Sequence, residues 1–135
     1  MSYPNVEIAS AGNIFSRMMI FKKGDIEVGH SHQFDHITLL TSGKLKIIID
    51  NQESVFEAPK HIFIKAEQLH ELEALEDNTI AFCIHALRDI DGEILAPDCI
   101  PCGSNVPELI KMGIVHPVVK DFRLSERHLE NEQTI

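Results

Sequence analysis

Between Asn13 and Leu87 apolar and polar positions alternate. In "KLKIIIDNQ", Leu45, Ile47 and Ile49 fall on one side of the pattern and Lys44, Lys46 and Asp50 on the other. A period of two marks a strand with one buried face. "IFSRMMIFKKGD" runs to Gly24-Asp25, "HITLLTSG" to Ser42-Gly43, "ESVFEAPK" to Pro59, and "HIFIKAEQ" and "LHELEALEDN" to Asp77-Asn78. "TIAFCIHAL" closes the series. Short β-branched and aromatic runs between Gly, Pro, Asn and Asp turns predict an all-β sandwich or barrel. Met18, Met19 and Phe21 read as an apolar strand, either core or a face for a second subunit. Ile48 opposes Ile47 and Ile49, which predicts that the outer face is covered as well.

After Arg88 the pattern ends. Gly92, Pro97, Pro101, Gly103 and Pro107 interrupt the chain too often for a sheet. "SNVPELIKMG" predicts a short helix, with Ser104 or Asn105 as cap, Pro107 in the first turn and Gly113 as stop. The polar tail "LSERHLENEQTI" reads as a short helix or a disordered end. The expected organisation is an N-terminal arm over 1–12, one barrel over 13–87, and a C-terminal extension over 88–135 that carries the short helix and packs around the barrel.

At 135 residues the chain suits a single domain. Twelve basic residues against twenty-one acidic ones give a net charge of -9, with no basic cluster, which argues against nucleic-acid or anionic-lipid partners. No apolar run approaches the ~20 residues of a membrane span. The first residues lack a basic and apolar leader pattern, and three cysteines do not form a secreted disulfide framework. The expectation is a soluble, cytoplasmic protein.

"GHSHQFDHITLLTSG" then changes the picture, with His30, His32 and His36 within seven residues. Even spacing puts His30 and His32 on one strand face. His36 shares its face with Thr38 and Leu40, and Leu40 marks that face as interior. On a distant strand His70 shares a face with Leu72 and Ala74, while Glu71, Glu73 and Asp77 point outward. Imidazoles among core aliphatics need hydrogen bonds or a metal. Neutral imidazoles converging in a small cavity suit a first-row transition ion.

These residues resemble the cupin superfamily, whose first motif is G-x5-H-x-H-x3,4-E-x6-G. Gly24, His30, His32, His36 and Gly43 match every spacing, with His36 in place of the family's glutamate. Of the second motif, G-x5-P-x-G-x2-H-x3-N, His70 alone matches. Pro59, Lys65, Glu67 and Ala74 stand at its other positions. The resemblance covers about 13–87. It implies an antiparallel cupin-type β-barrel (jelly roll) with a short helical or irregular appendage, and one divalent transition metal held by His30, His32, His36 and His70. Fe, Co, Ni, Cu and Zn all suit such ligands. Four neutral histidines leave the ion at +2 where a carboxylate would leave +1, giving a stronger Lewis acid that holds anions better and resists oxidation. Affinity is expected to fall as pH drops through ~6.5, the ordinary histidine value.

The first functional expectation is a mononuclear metal enzyme, an oxidoreductase of dioxygenase type or a related lyase, acting on a small oxygen-rich or anionic substrate. A non-catalytic small-molecule sensor using the same pocket is the alternative, and a sugar isomerase the third. A zinc motif of the form H-x-H-x-D-H is missed by one inserted residue in "HSHQFDH". "CIPC", Cys99 to Cys102, lacks both a finger spacing to His116 and His128 and a redox context, and reads as two free thiols. His61 and His85 read as outward or hydrogen-bonded, with an acid–base role in the pocket as the alternative. A homodimer is expected, this being the commonest soluble assembly.

Overall fold

The computed structural model of the chain describes residues 2–96, 106–111 and 121–122. Its elements run β1 (Asn5–Ala11), β2 (Ile14–Phe21), β3 (Ile26–Ser31), β4 (His36–Ser42), β5 (Lys44–Ile49), β6 (Gln52–Glu57), β7 (Lys60–Ile64), β8 (His70–Ala74), β9 (Thr79–Ala86), α1 (Val106–Lys111) and β10 (Asp121–Phe122). They form two five-stranded sheets, ordered β1-β2-β9-β4-β7 and β10-β3-β8-β5-β6, with every pairing antiparallel. The fold is all-β with an almost helix-free description, as the alternation predicts. Asn5–Ala11 lies along the β2 edge, from Asn5 opposite Ile20 to Ala11 opposite Ile14.

Local sequence sets the turns. Asp50 and Asn51 both take positive φ (48° and 67°) between β5 and β6, the backbone that a two-residue hairpin needs. Gly43, between β4 and β5, has φ +83°, and a Cβ there would lie 2.7 Å from the Thr79 Cα. Only glycine satisfies both conditions.

Register stacks the interior in levels. Met19, Ala81 and Leu40 meet across β2, β9 and β4, with Ile47 and Leu72 paired in the other sheet, and all are almost fully buried. The next level holds Arg17, Cys83, Thr38 and Ile62. One step further stand Phe15 opposite His85 and His36 opposite Ile64. The interior therefore turns from aliphatic to polar along the barrel. Polarity at one end is what positions a site there.

That end is braced by the segment after β9. Asn13 Nδ2 donates to the Leu95 carbonyl at 2.7 Å, Asp89 Oδ1 accepts from the Asp91 and Glu93 amides, and Arg88 Nη1 donates to the Gly92 carbonyl at 2.8 Å. Leu95 and Leu109 of α1 pack on buried Phe15 and Leu87. The predicted caps Ser104 and Asn105, the stop Gly113, Cys99, Cys102, His116, His128 and the tail lie outside the described residues. Among the described residues no helix is long and apolar enough to cross a membrane.

Outward did not mean exposed on β8. Glu71 is 2% exposed on the face away from Leu72, and Glu73 is half-buried in an ion pair with Lys46 at 3.1 Å. The outer side of β8 is covered.

Candidate metal centre

Three histidines from three places in the chain converge at the polar end of the barrel. His32 follows the last residue of β3, His36 opens β4 and His70 opens β8, and all three are buried. Their ring centroids form a near-equilateral triangle of 4.7, 5.3 and 5.3 Å. One nitrogen from each lies within 4.8 Å of the others. A single ion with ~2.1 Å bonds draws such nitrogens to about 3.0–3.4 Å, a closing movement of the order of 1 Å. The donor set fits a transition metal: borderline imidazole nitrogens, with no carboxylate in the cluster.

Backbone irregularity builds the triangle. In β3 Glu27 stands opposite Leu72 and His30 opposite His70, so three steps on one strand match two on the other. This bulge brings the end of β3 into step with the opening of β8. The description of His30 stops at its backbone, directly across from His70. The two ligand-bearing loops are tied together, the Glu67 amide donating to the His32 carbonyl at 2.8 Å and the Ala66 amide to Asp35 Oδ1 at 2.7 Å.

Neighbouring groups choose the tautomers. His70 Nδ1 donates to the Gln68 carbonyl at 3.0 Å, which puts the lone pair on Nε2. His36 Nε2 meets Thr38 Oγ1 at 3.4 Å, and Thr38 Oγ1 reaches Cys83 Sγ at 3.5 Å. Phe34 stacks on His32 at 5.2 Å and 26°. Burial, reinforced by nearby His32 and opposed by the Gln68 hydrogen bond, lowers the His70 imidazole to about 4. Desolvation disfavours the imidazolium, so the ring stays neutral below the ordinary histidine range.

Two further interior features stand near the cluster, of which the sequence reading named His85 as hydrogen-bonded or a pocket acid–base group and missed the other. His85 is half-buried at the same level as Phe15, with its ring 6.3 Å from that of His32. Burial chiefly lowers it to about 4, His32 and Arg88 adding to the effect and a hydrogen bond to the Ala86 carbonyl opposing it. It is thus hydrogen-bonded, as expected, and also beside the cluster. Alternation with Ala81 and Cys83 was the available signal. The second feature is an ion pair between the sheets, Arg17 Nη1 to Glu27 Oε1 at 3.0 Å, one level below the histidines. His61 is exposed and lines an open cleft of about 420 Å3 with Leu39, Pro59 and Lys60, apart from the cluster. The convergent imidazoles, not this cleft, carry the chemistry.

No family model matches the sequence, and no curated protein matches it. Solved structures do. KdgF from Halomonas sp. is similar at 16% identity and a TM-score of 0.56, over 64% of this chain and 82% of that one. A cupin superfamily protein from Desulfitobacterium hafniense follows at 15% identity and 0.54, over 64% and 81%. A double-stranded β-helix protein from Klebsiella pneumoniae gives 15% and 0.56, over 62% and 76%. The barrel has the fold of the cupin superfamily. Its interior carries a buried cluster of His32, His36 and His70 that suits a metal ion.

Proposed function

We propose that the chain is a mononuclear metal enzyme of the dioxygenase or lyase type, acting on a small oxygen-rich or anionic molecule in the cytoplasm. One observation carries this reading: three buried imidazoles from three elements present ligand nitrogens within 4.8 Å of one another inside a cupin barrel. We assign the ion to His32, His36 and His70, with His30 as fourth ligand because its backbone stands opposite His70. When bound, a divalent ion supplies Lewis-acid polarisation of a substrate oxygen. The Gln68 carbonyl fixes the His70 ring, Phe34 backs His32, and the aliphatic level of Leu40 and Ile47 closes the barrel beneath and keeps water out.

Elemental analysis is the first test. One transition metal per chain is expected, lost in His30→Ala, His32→Ala and His70→Ala and weakened in His36→Ala. Absence of metal, or equal retention in all four variants, removes the reading. Iron-loaded protein is then given small enols, diols and carboxylates while dioxygen is recorded. The all-nitrogen set favours a second reading, a non-catalytic binding module, because a +2 centre resists oxidation. His36→Glu lowers that charge by one and should alter turnover while keeping metal. Binding without oxygen uptake in both proteins decides for the binding module.

We further infer a homodimer through the outer face of the β1-β2-β9-β4-β7 sheet. Ile14, Ile20, Ile37 and Phe63 are all at least 40% exposed there, an apolar face unusual for a monomer. Light scattering that returns a monomer at micromolar concentration overturns this.

A further inference from the structure

Beside the histidine triangle, packed on the Phe34 ring that also stacks on His32, stand His85 and Arg88, which the cluster does not use. His85 is held between two rings: Phe15, its register partner, at 4.6 Å and 25°, and Phe34 at 4.4 Å and 44°. Its Nδ1 is committed to the Ala86 carbonyl at 2.9 Å, so the lone pair sits on Nε2, which makes no hydrogen bond among the described residues. The ring is fixed, neutral and able to accept. Phe34 also carries the Arg88 guanidinium over its face, 5.6 Å from the centroid. Arg88 Nη1 donates to the Gly92 carbonyl, but Nε is buried without a hydrogen-bond partner, and no carboxylate lies within 4.0 Å of the guanidinium among the described residues. A buried donor and an unneutralised cation are costly unless something else satisfies them.

A neutral acceptor and a cation unmatched among the described residues, both beside the histidine cluster, select for one chemical class. We propose that Phe15, Phe34, His85 and Arg88 form a ligand subsite for a small hydroxy-carboxylate, its hydroxyl donating to His85 Nε2 and its negative charge matched by Arg88. The aromatic rings supply flat apolar walls that exclude water and strengthen both contacts. A plain carboxylate lacks the donor, and a neutral diol lacks the charge. The proposal rests on the reading of the histidine cluster as a metal site, which anchors the ligand's oxygens.

The test uses zinc-loaded full-length protein, with zinc content measured on every sample, and calorimetric titration of lactate, propionate and 1,2-propanediol. Lactate chelates zinc through its hydroxyl whatever His85 does, so the informative quantity is the change in the lactate-to-propionate ratio. His85→Phe keeps a stacking ring without the acceptor, and the ratio should fall about tenfold. His85→Gln, which restores an acceptor, should recover part of it. Arg88→Met should weaken lactate and propionate alike, by about five- to tenfold, and leave propanediol unmoved. If His85→Phe weakens both acids equally, or changes neither, His85 has no part in reading the hydroxyl. If Arg88→Met spares the carboxylates, or weakens propanediol as much, the charge match is refuted. Wild-type protein that takes up no zinc removes the metal reading and the subsite together. One zinc per chain in every variant with an unmoved ratio refutes the subsite alone.

Discussion

In the metal-free protein His70 makes acid costly. It is 1% exposed, and burial holds its imidazole at about 4 against 6.5 when free. A histidine lowered by folding leaves the folded state with fewer protons than the unfolded state between those two values. Stability therefore rises with pH in that window, or equivalently is lost as pH falls from 6.5 towards 4, and levels off below it. Over the whole window the loss from this one ring is roughly 3 kcal/mol, and about 2 kcal/mol has gone by pH 5. Against a typical domain stability of ~5–15 kcal/mol, that is a large change in a urea midpoint.

The assay compares metal-free wild type with His70→Leu, each unfolded in urea at half-unit steps from pH 7.5 to 4.5. The carboxylates and His85 titrate in both proteins and cancel to first order in the difference. Wild type should lose about 2 kcal/mol relative to His70→Leu between pH 7.5 and 5. Parallel curves would refute the reasoning, because a ring that protonates at no cost is not desolvated. The same burial keeps His70 able to bind a cation at pH 5, so acid stripping of metal should not be set by this residue.

Three further outcomes follow from the interior. Gly43→Ala places a Cβ 2.7 Å from the Thr79 Cα at φ +83°, and should cost about 2–4 kcal/mol in thermal or urea unfolding, whereas Gly24→Ala, with open space around it, should cost less. Arg17→Met leaves the Glu27 carboxylate 8% exposed without its partner and should destabilise by roughly 2–4 kcal/mol, while Arg17→Met with Glu27→Met should recover most of that; additive losses would mean the pair is not coupled. Cys83 is buried and its thiol is raised to about 11, chiefly by desolvation, so iodoacetamide at pH 7.5 should alkylate its peptide only after unfolding, as read by mass spectrometry.

The strands most legible in the sequence are those where hydrophobicity labels one face. β5 shows Leu45, Ile47 and Ile49 against lysines, and β4 gives away His36 because Leu40 lies on the same side; on the faces read all are buried except the half-buried Ile49. His70 followed from Leu72 and Ala74 by the same parity, and the three residues are buried together. The β3 bulge was not legible, because an extra residue is defined only against a partner strand, here β8.

β2 and β9 defeat the same method for a physical reason. On β9 the bulky set, Ile80, Phe82 and Ile84, lies on the outer face, while Thr79, Ala81, Cys83 and His85 form the interior. On β2, Ile14 and Ile20 are exposed and Arg17 points inward to Glu27. On β9 apolarity marks the outside, so a reader who follows it turns that strand over and loses His85; on β2 the buried Phe15, Met19 and Phe21 face Ile14 and Ile20 across the strand, so neither face stands out and Arg17 is lost. The inversion on β9 has a physical cause. An interior that holds imidazoles, a thiol and an ion pair has given up apolar area at one end of the barrel. Apolar residues on the outside of the neighbouring sheet regain that area if a second copy covers them. The polar interior and the proposed subunit contact thus become two sides of one sheet. Phe63→Lys or Ile37→Lys, on the outer face, should then dissociate the dimer and also weaken ligand binding, although both side chains lie on the face of the sheet away from the histidines.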